Sequence, residues 1–214
     1  MKTIKRLSFR KIKIIFCAFI CSMMWLWPAT GFAKTILILG DSLSAGYGIN
    51  PEQGWVALLQ RKLNQDFPKQ HSVINASVSG ETSSGALARL PKLLQTHRPN
   101  IVVIELGGND ALRGQPPKMI HNNLNQLIQL SKQSEATVIL LGTKIPPNYG
   151  TAYSSAFENN YKVLSQQHKI KLLPFFMQGI AGNKNLMQKD LIHPNATAQK
   201  QLLNNAYPYI KGAL

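Results

Sequence analysis

Cysteine is scarce in this chain, and its placement excludes several kinds of site. The only two cysteines, Cys17 and Cys21, lie within the first 33 of the 214 residues. The remaining part, residues 34–214, therefore has no disulfide bond, no thiol nucleophile and no cysteine ligand for a metal. It is long enough to form one domain stabilised by its hydrophobic core alone.

Acidic residues are also few. The chain has 9 Asp and Glu against 24 Lys and Arg, which gives a formal net charge of +15 at pH 7. Six of the basic residues precede position 14, so residues 34–214 carry a charge of +9. Their lysines are scattered singly, with no basic run and no interleaved aromatic residues, which argues against nucleic-acid binding. At most, this charge predicts weak attraction to an anionic membrane or polysaccharide.

A hydrophobic run of membrane-spanning length is missing. A spanning helix needs about 20 apolar residues, and the apolar run Ile14–Trp27 has 14. It follows the basic segment Met1–Lys13 and precedes small residues at Gly31 and Ala33, an order typical of a secretory signal peptide. We therefore predict that residues 1–33 are a signal peptide cleaved near Ala33, and that the protein is periplasmic or secreted. An uncleaved anchor is the alternative.

After this segment, short apolar runs alternate five times with segments whose apolar residues recur at helical spacing. Continuous apolar runs are typical of strands that are buried on both faces of a sheet. We therefore predict one α/β domain over residues 34–214, a doubly wound sheet of five parallel strands with helices on both faces. Pro91 should kink or split the second helix. The predicted strands lie in Thr35–Gly40, His71–Ser77, Ile101–Leu106, Ala136–Thr143 and Lys171–Phe176, and the predicted helices in Pro51–Phe67, Ala86–His97, Ile120–Ile128, Tyr153–Leu164 and Asn195–Ile210.

Polar or glycine-rich motifs follow the first three predicted strands. They are GDS with Ser42, SVSGET with Gly80 and GGND with Asn109. In doubly wound sheets, ligands bind beyond the carboxyl ends of the strands, so these motifs should lie at one edge. A fourth motif, DLIHPN, places Asp190 three residues before His193.

These residue types fit acyl transfer. A serine such as Ser42 becomes a nucleophile only when a base takes its proton, and histidine is the usual base. Of the five histidines, only His193 follows an acid by three residues in a turn-rich loop, where Asp190 could accept its Nδ1–H. The Ser42 and Gly80 N–H groups and the Asn109 amide could stabilise an oxyanion. Each motif alone is equally explained as a turn or a helix cap.

Together, the four motifs resemble the ordered blocks of the SGNH hydrolases, also called GDSL esterases or lipases. The usual G-x-S-x-G elbow of α/β-hydrolases is absent. The longer segments ILILGDSLSAGYG, VINASVSGETSSGALARLP and ELGGNDALRG are similar to the bacterial thioesterase I/arylesterase/lysophospholipase subgroup. The similarity extends over Lys34–Leu214.

This resemblance implies a flavodoxin-like sheet with strand order 2-1-3-4-5. It implies that Ser42 is the nucleophile, His193 the base and Asp190 the residue that orients the base. The oxyanion hole would comprise Ser42, Gly80 and Asn109. The implied activity is hydrolysis of fatty acyl esters, thioesters and lysophospholipids through an acyl-enzyme intermediate, without metal or cofactor. Separately, we expect the protein to be a monomer.

Apolar residues near the expected site suggest where an acyl chain would bind. In the resembling subgroup a loop at the position of KIPPNYG helps to hold that chain. Here Leu43, Ile145, Pro146 and Tyr149 offer apolar side chains, and we expect the last three at the tip of the loop after strand four. This loop could instead be a rigid connection to the next helix.

Two other functions remain open at this point. A carbohydrate O-deacetylase uses the same four blocks, although it should have a shallower and more polar pocket. A basic, non-catalytic binding protein could keep the fold as a scaffold. An intact set of nucleophile, base, acid and oxyanion donors argues against the second alternative.

Overall fold

The computed structural model describes residues 33–214. The predicted signal peptide, apart from Ala33, lies outside the described residues. Within the described range, no helix combines the length and the apolar character that crossing a membrane requires.

A single sheet of five parallel strands forms the centre of the described region. Its strands are β1 (Lys34–Gly40), β2 (His71–Asn75), β3 (Ile101–Glu105), β4 (Thr137–Leu141) and β5 (Lys171–Leu173). Their order across the sheet is β2-β1-β3-β4-β5, so the predicted order is confirmed. In the register of β1 and β3, Gly40 pairs with Glu105, which brings the ends of these two central strands to the same level.

Helices cover both faces of the sheet because side chains alternate between the faces of a strand. On one face, Leu37 and Val102 belong to a core that includes Leu90, Leu127 and other apolar residues of the helices. On the other, Ile36 and Val103 belong to a core that includes Trp55 and Leu202. This arrangement confirms the predicted doubly wound architecture.

The helices are α1 (Ser42–Ala45), α2 (Trp55–Asp66), α3 (Ser83–His97), α4 (Gly108–Leu112), α5 (Pro117–Gln133), α6 (Thr151–His168) and α7 (Gln199–Lys211), with 3₁₀ turns at Pro51–Gln53, Pro147–Tyr149 and Ala196–Ala198.

The second predicted helix differs from the prediction. It begins at Ser83, where Thr82 Oγ1 accepts the Gly85 N–H, and it continues through Pro91 to its end. Of the two predicted effects of Pro91, a kink or a split, the split is wrong, because the helix is continuous from Ser83 to His97. A proline removes one helical hydrogen bond, but Leu90 and Leu94 on the apolar face remain buried against the sheet, and this burial keeps the helix intact.

Candidate active site

Ser42 stands at the first position of a helix, directly beyond the end of β1. Asp41 is the N-cap of α1, and its Oδ1 accepts the Leu43 N–H at 3.0 Å. Space below this turn is limited, since a Cβ on Gly40 would lie 2.8 Å from Ser44 Oγ and 2.9 Å from Glu105 Oε2. Only glycine therefore fits between the strand and the helix at position 40.

A chain of hydrogen bonds connects Ser42 to His193 and Asp190. His193 Nε2 lies 2.9 Å from Ser42 Oγ, and His193 Nδ1 lies 2.7 Å from Asp190 Oδ2. With the Nδ1 proton directed at the carboxylate, Nε2 has a free lone pair for the serine hydroxyl. Residues 42 and 193 are 151 positions apart, so the tertiary fold brings these groups together.

The Asp190 carboxylate is stabilised as an anion by its own turn. Its Oδ1 accepts the backbone N–H groups of His193 at 3.0 Å and Ile192 at 2.9 Å. The backbone hydrogen bond from His193, followed by the bond from the His193 ring, lowers the pKa of Asp190 to about 2. Asp190 is therefore ionised at neutral pH.

The turn that carries His193 is fixed to the region after α1. Gln188 Nε2 donates to the Tyr47 carbonyl at 2.7 Å and to the Pro194 carbonyl at 3.1 Å. The backbone N–H of Gln188 donates to the His193 carbonyl at 2.7 Å. The Tyr47 ring packs on the imidazole with 4.5 Å between centroids. These contacts restrain the imidazole from two sides.

Gly80 and Asn109 lie in the segments after β2 and β3, beside the Ser42 turn. Gly80 has a φ of +76°, a left-handed conformation that favours glycine, and its carbonyl accepts Arg113 Nη2 at 3.0 Å. Asn109 lies in the first turn of α4, and its Nδ2 donates to Asp41 Oδ2 at 3.1 Å. GGND thus begins a short helix rather than a simple turn, and the Asn109 amide is held next to Ser42.

The four residues predicted to bind the acyl chain differ in their burial and in what they pack against. Tyr149 is half-buried, and its hydroxyl donates to the Leu112 carbonyl at 2.9 Å, which ties the loop after β4 to the end of α4. Pro146 is exposed, and Leu43 packs partly against the core of α2 and α7. Ile145 is only 8% exposed and belongs to the core of α3, α5 and α6. The expectation that Ile145 lies at the loop tip is wrong, because its side chain packs within that core.

Residues 33–214 contain no group of three or more His, Asp or Glu side chains arranged to share a metal ion. Comparison with known proteins shows the family and the fold. A family model described as the GDSL-like lipase/acylhydrolase family matches residues 38–201.

The chain belongs to this family. It is 46% identical over 194 residues to Esterase TesA of Pseudomonas aeruginosa, covering 91% of this chain and 96% of that protein. It is 46% identical over 167 residues to Thioesterase 1/protease 1/lysophospholipase L1 of Escherichia coli strain K12, covering 78% of each. The crystal structure of psychrotrophic esterase EstA from Pseudoalteromonas sp., inhibited by monoethylphosphonate, has a TM-score of 0.80 and 47% identity, covering 84% of this chain and 97% of that one.

Membership in the GDSL-like family confirms the resemblance that the four sequence blocks indicated. It also confirms the predicted class of enzyme, a hydrolase of esters and thioesters.

Sequence reasoning missed several residues around the site of this GDSL-like hydrolase. The sequence indicates Asp41 only as a turn former or helix N-cap, yet it is 4% exposed and also holds the Asn109 amide. The sequence predicts Glu105 only as part of the third strand, and the structure shows that its side chain is fully buried. Gln188 lies in a segment with no distinctive pattern, and Arg113 lies in the segment ELGGNDALRG, where the sequence assigns it no role. A charged residue at the end of an otherwise apolar strand, as in IVVIE, is the one signal that could have singled out Glu105.

Proposed function

We propose that the protein hydrolyses fatty acyl esters and thioesters with Ser42 as the nucleophile, His193 as general base and Asp190 as the residue that orients the base. The observation that carries this proposal is the continuous hydrogen-bonded chain from Ser42 Oγ through His193 to Asp190. A nucleophile bonded to a base, which is bonded in turn to an orienting acid, is the arrangement that acyl transfer requires.

In the acylation step, Ser42 Oγ attacks the carbonyl carbon of the substrate while His193 Nε2 takes the hydroxyl proton. The resulting imidazolium is stabilised by the ionised Asp190. His193 then gives its proton to the leaving alcohol or thiolate, and an acyl-enzyme remains. Water, deprotonated by His193, attacks this acyl-enzyme, and the fatty acid and free Ser42 are released.

We assign the oxyanion hole to the backbone N–H groups of Ser42 and Gly80 and to the side-chain amide of Asn109. Two contacts support this assignment. The Val78 N–H, two residues before Gly80, donates to the Gly40 carbonyl at 3.1 Å, and Asn109 Nδ2 donates to Asp41, the residue before Ser42. Donors fixed in advance stabilise the developing negative charge without reorganisation during the reaction.

The proposed substrates are small molecules with apolar acyl chains, including lysophospholipids. Support comes from relatives named esterase and thioesterase/lysophospholipase, and from the apolar loop that Tyr149 ties to α4. Leu43, Pro146 and Tyr149 are the side chains assigned to the acyl chain, with Ile145 supporting them from the core. We further propose that the enzyme is exported, acts as a monomer, and has at most weak peripheral contact with membranes.

Hydrolysis of p-nitrophenyl esters from C2 to C12, compared between the purified protein and a Ser42→Ala variant, tests the proposal. We expect kcat/KM to rise with chain length over several carbons, and the variant to lose activity at every length. Mass spectrometry after treatment with an alkyl phosphonate ester should show one adduct on Ser42. Activity confined to acetate esters would favour an O-deacetylase, and absence of activity and adduct would favour a binding protein.

A further inference from the structure

Two acidic side chains lie buried together beneath Ser42. Asp41 is 4% exposed and Glu105 is fully buried. The parallel register that pairs Gly40 with Glu105 places them at adjoining strand ends, where the backbone N–H of Asp41 donates to Glu105 Oε2 at 3.4 Å. Two ionised carboxylates cannot remain adjacent in a buried place, so this pair carries a proton.

Glu105 is the member of the pair that holds the proton. Its Oε2 accepts the Ser44 hydroxyl at 2.8 Å, and in the described part of the chain its Oε1 has no donor. Burial first, and the neighbouring charge of Asp41 second, raise the pKa of Glu105 well above its usual value. A proton on Oε1, the oxygen that receives no donor, would let Glu105 donate a hydrogen bond to the Asp41 carboxylate.

Asp41 is the ionised member at neutral pH. Its two oxygens accept different donors, Leu43 N–H at 3.0 Å and Asn109 Nδ2 at 3.1 Å. Burial is the largest influence on Asp41 and raises its pKa to about 6. The group therefore stays charged at pH 7 and becomes neutral in mildly acidic solution.

An ionised carboxylate only accepts hydrogen bonds, whereas an asparagine side chain has one donating and one accepting end. The Asp41 carboxylate can therefore bind the Nδ2 end of Asn109 and repels the Oδ1 end. One Nδ2 proton is used in this bond, and the second is free to point at a substrate. A neutral Asp41 could instead donate to Oδ1 and let the amide turn around.

We propose that Asp41 and Glu105 are positioning residues: protonated Glu105 keeps Asp41 as a carboxylate, and that carboxylate fixes the Asn109 amide with its N–H group toward the oxyanion. This inference rests on the proposed oxyanion role of Asn109. The pair must hold one proton for full activity, and a second proton lowers the rate by releasing the amide.

Three other titratable groups face this pair. Asp110 on α4 opposes ionisation of Asp41, and His193 favours it when the imidazole is charged. Tyr161 on α6 stays neutral because burial raises its pKa well above the usual value, and its hydroxyl donates to the Leu106 carbonyl. Since His193 also takes up and releases a proton as the base of the proposed reaction, a change in activity with pH in the wild type alone does not identify Asp41.

A double-mutant cycle with Asp41→Asn and Asn109→Ala isolates the positioning effect. In Asp41→Asn the side-chain oxygen can still cap α1, but an NH₂ group then opposes Asn109 Nδ2. We expect Asn109→Ala to lower kcat by roughly 10²–10³-fold, the cost of one oxyanion donor. Asp41→Asn should lower kcat by a similar factor with little change in KM. In the Asn109→Ala background, Asp41→Asn should lower kcat by less than about threefold, because the effects of residues that act as a unit are not additive.

Glu105 is tested with one isosteric variant and one apolar variant. The amide side chain introduced by Glu105→Gln can donate to Asp41 and accept from Ser44, so we expect wild-type kcat and an unchanged acid limb of the kcat/KM profile. Glu105→Leu removes the donor, so Asp41 should become neutral at a higher pH and the acid limb should move upward. Asp66→Asn, which changes an acid at the end of α2 that contacts Tyr207, is the matched control and should leave the profile unchanged.

The outcomes separate this inference from the proposed function. If Asn109→Ala keeps full activity, the oxyanion assignment itself is wrong. If Asn109→Ala is impaired but Asp41→Asn costs the same factor in both backgrounds, Asp41 acts independently and the inference is overturned. A large loss of kcat in folded Glu105→Gln would also overturn it, because Glu105 would then be needed as a carboxylate. If Glu105→Leu does not fold, the cycle and the Glu105→Gln variant still decide.

Discussion

Hydrogen bonds from its own turn are the largest cause of the lowered pKa of the Asp190 carboxylate, and the charge of His193 contributes less. Replacing Asp190 by Asn should lower kcat by about 10⁴-fold, since a neutral amide does not stabilise the imidazolium and can select the wrong tautomer of His193. Steady-state hydrolysis of p-nitrophenyl butyrate measures this. The turn should survive, because an Asn oxygen can accept the same backbone N–H groups from Ile192 and His193. A kcat within tenfold of wild type would contradict the assigned role.

The same side chain makes stability depend on pH in a defined direction. Its pKa is lowered from 3.8 to about 2 in the folded protein, so the ionised form stabilises the fold above about pH 4. That contribution is lost as the pH falls toward 2. Because the side chain is 37% exposed, solvent reduces the size of the effect. Thermal unfolding between pH 5 and 2 should show the wild type losing more stability than Asp190→Asn, and parallel curves would count against this account.

At the scale of elements, α3 contains a proline that its packing tolerates. Pro91 is exposed, so its replacement by Ala removes no buried contact and restores one helical N–H. We expect Pro91→Ala to stabilise the protein by about 1–3 kcal/mol, judged from the cost of an interior proline. Chemical denaturation measures this difference, with unchanged kcat as the control. A destabilised variant would mean that the ring itself has a packing role.

The loop after β4 is the element assigned to chain-length preference. Tyr149→Phe deletes the hydrogen bond to Leu112 but keeps the ring, so the loop should loosen from α4. Each buried methylene contributes up to about 0.8 kcal/mol, or roughly fourfold in kcat/KM. We expect a flatter rise from C2 to C12 in the variant, with acetate hydrolysis preserved.

Tyr207→Phe is a matched control for this loop variant, since it deletes a tyrosine hydroxyl that bonds Asp66 between α2 and α7. Its chain-length profile should follow that of the wild type. Parallel profiles for Tyr149→Phe and the wild type would show that the acyl groove is formed by other residues.

Sequence patterns predicted the elements better than the contacts between them. Periodicity located all five strands and the five long helices, because the apolar pattern that determines which side of an element is buried lies within that element's own residues. The fifth strand ends at Leu173 rather than Phe176, since Pro174 cannot donate to the sheet. Strand order followed from the family resemblance. The Asp41–Glu105 pair and the Gln188 contacts could not be predicted, because they join residues 64 and 141 positions apart.

At the scale of the whole molecule, the described domain begins where the predicted signal peptide ends. Lys34 is already the first residue of β1, its backbone N–H contacts His71 Nδ1, and its ammonium group donates to the Ala213 carbonyl. Cleavage after Ala33 would therefore leave the first strand complete. We expect the intact mass of the exported protein to correspond to residues 34–214. A retained Met1 or a lipid adduct would contradict this expectation.

Trp55 has a consequence for how the processed enzyme can be observed. Of the three tryptophans in the chain, the other two lie in the predicted signal peptide, so cleavage would leave one indole. Trp55 is fully buried, and its Nε1–H bonds Ser44 Oγ, which in turn bonds Glu105. Intrinsic fluorescence of the mature protein would thus come from a single emitter two hydrogen bonds away from the buried acids. Changes in their protonation could be followed optically in the resting enzyme, without a substrate or an added dye.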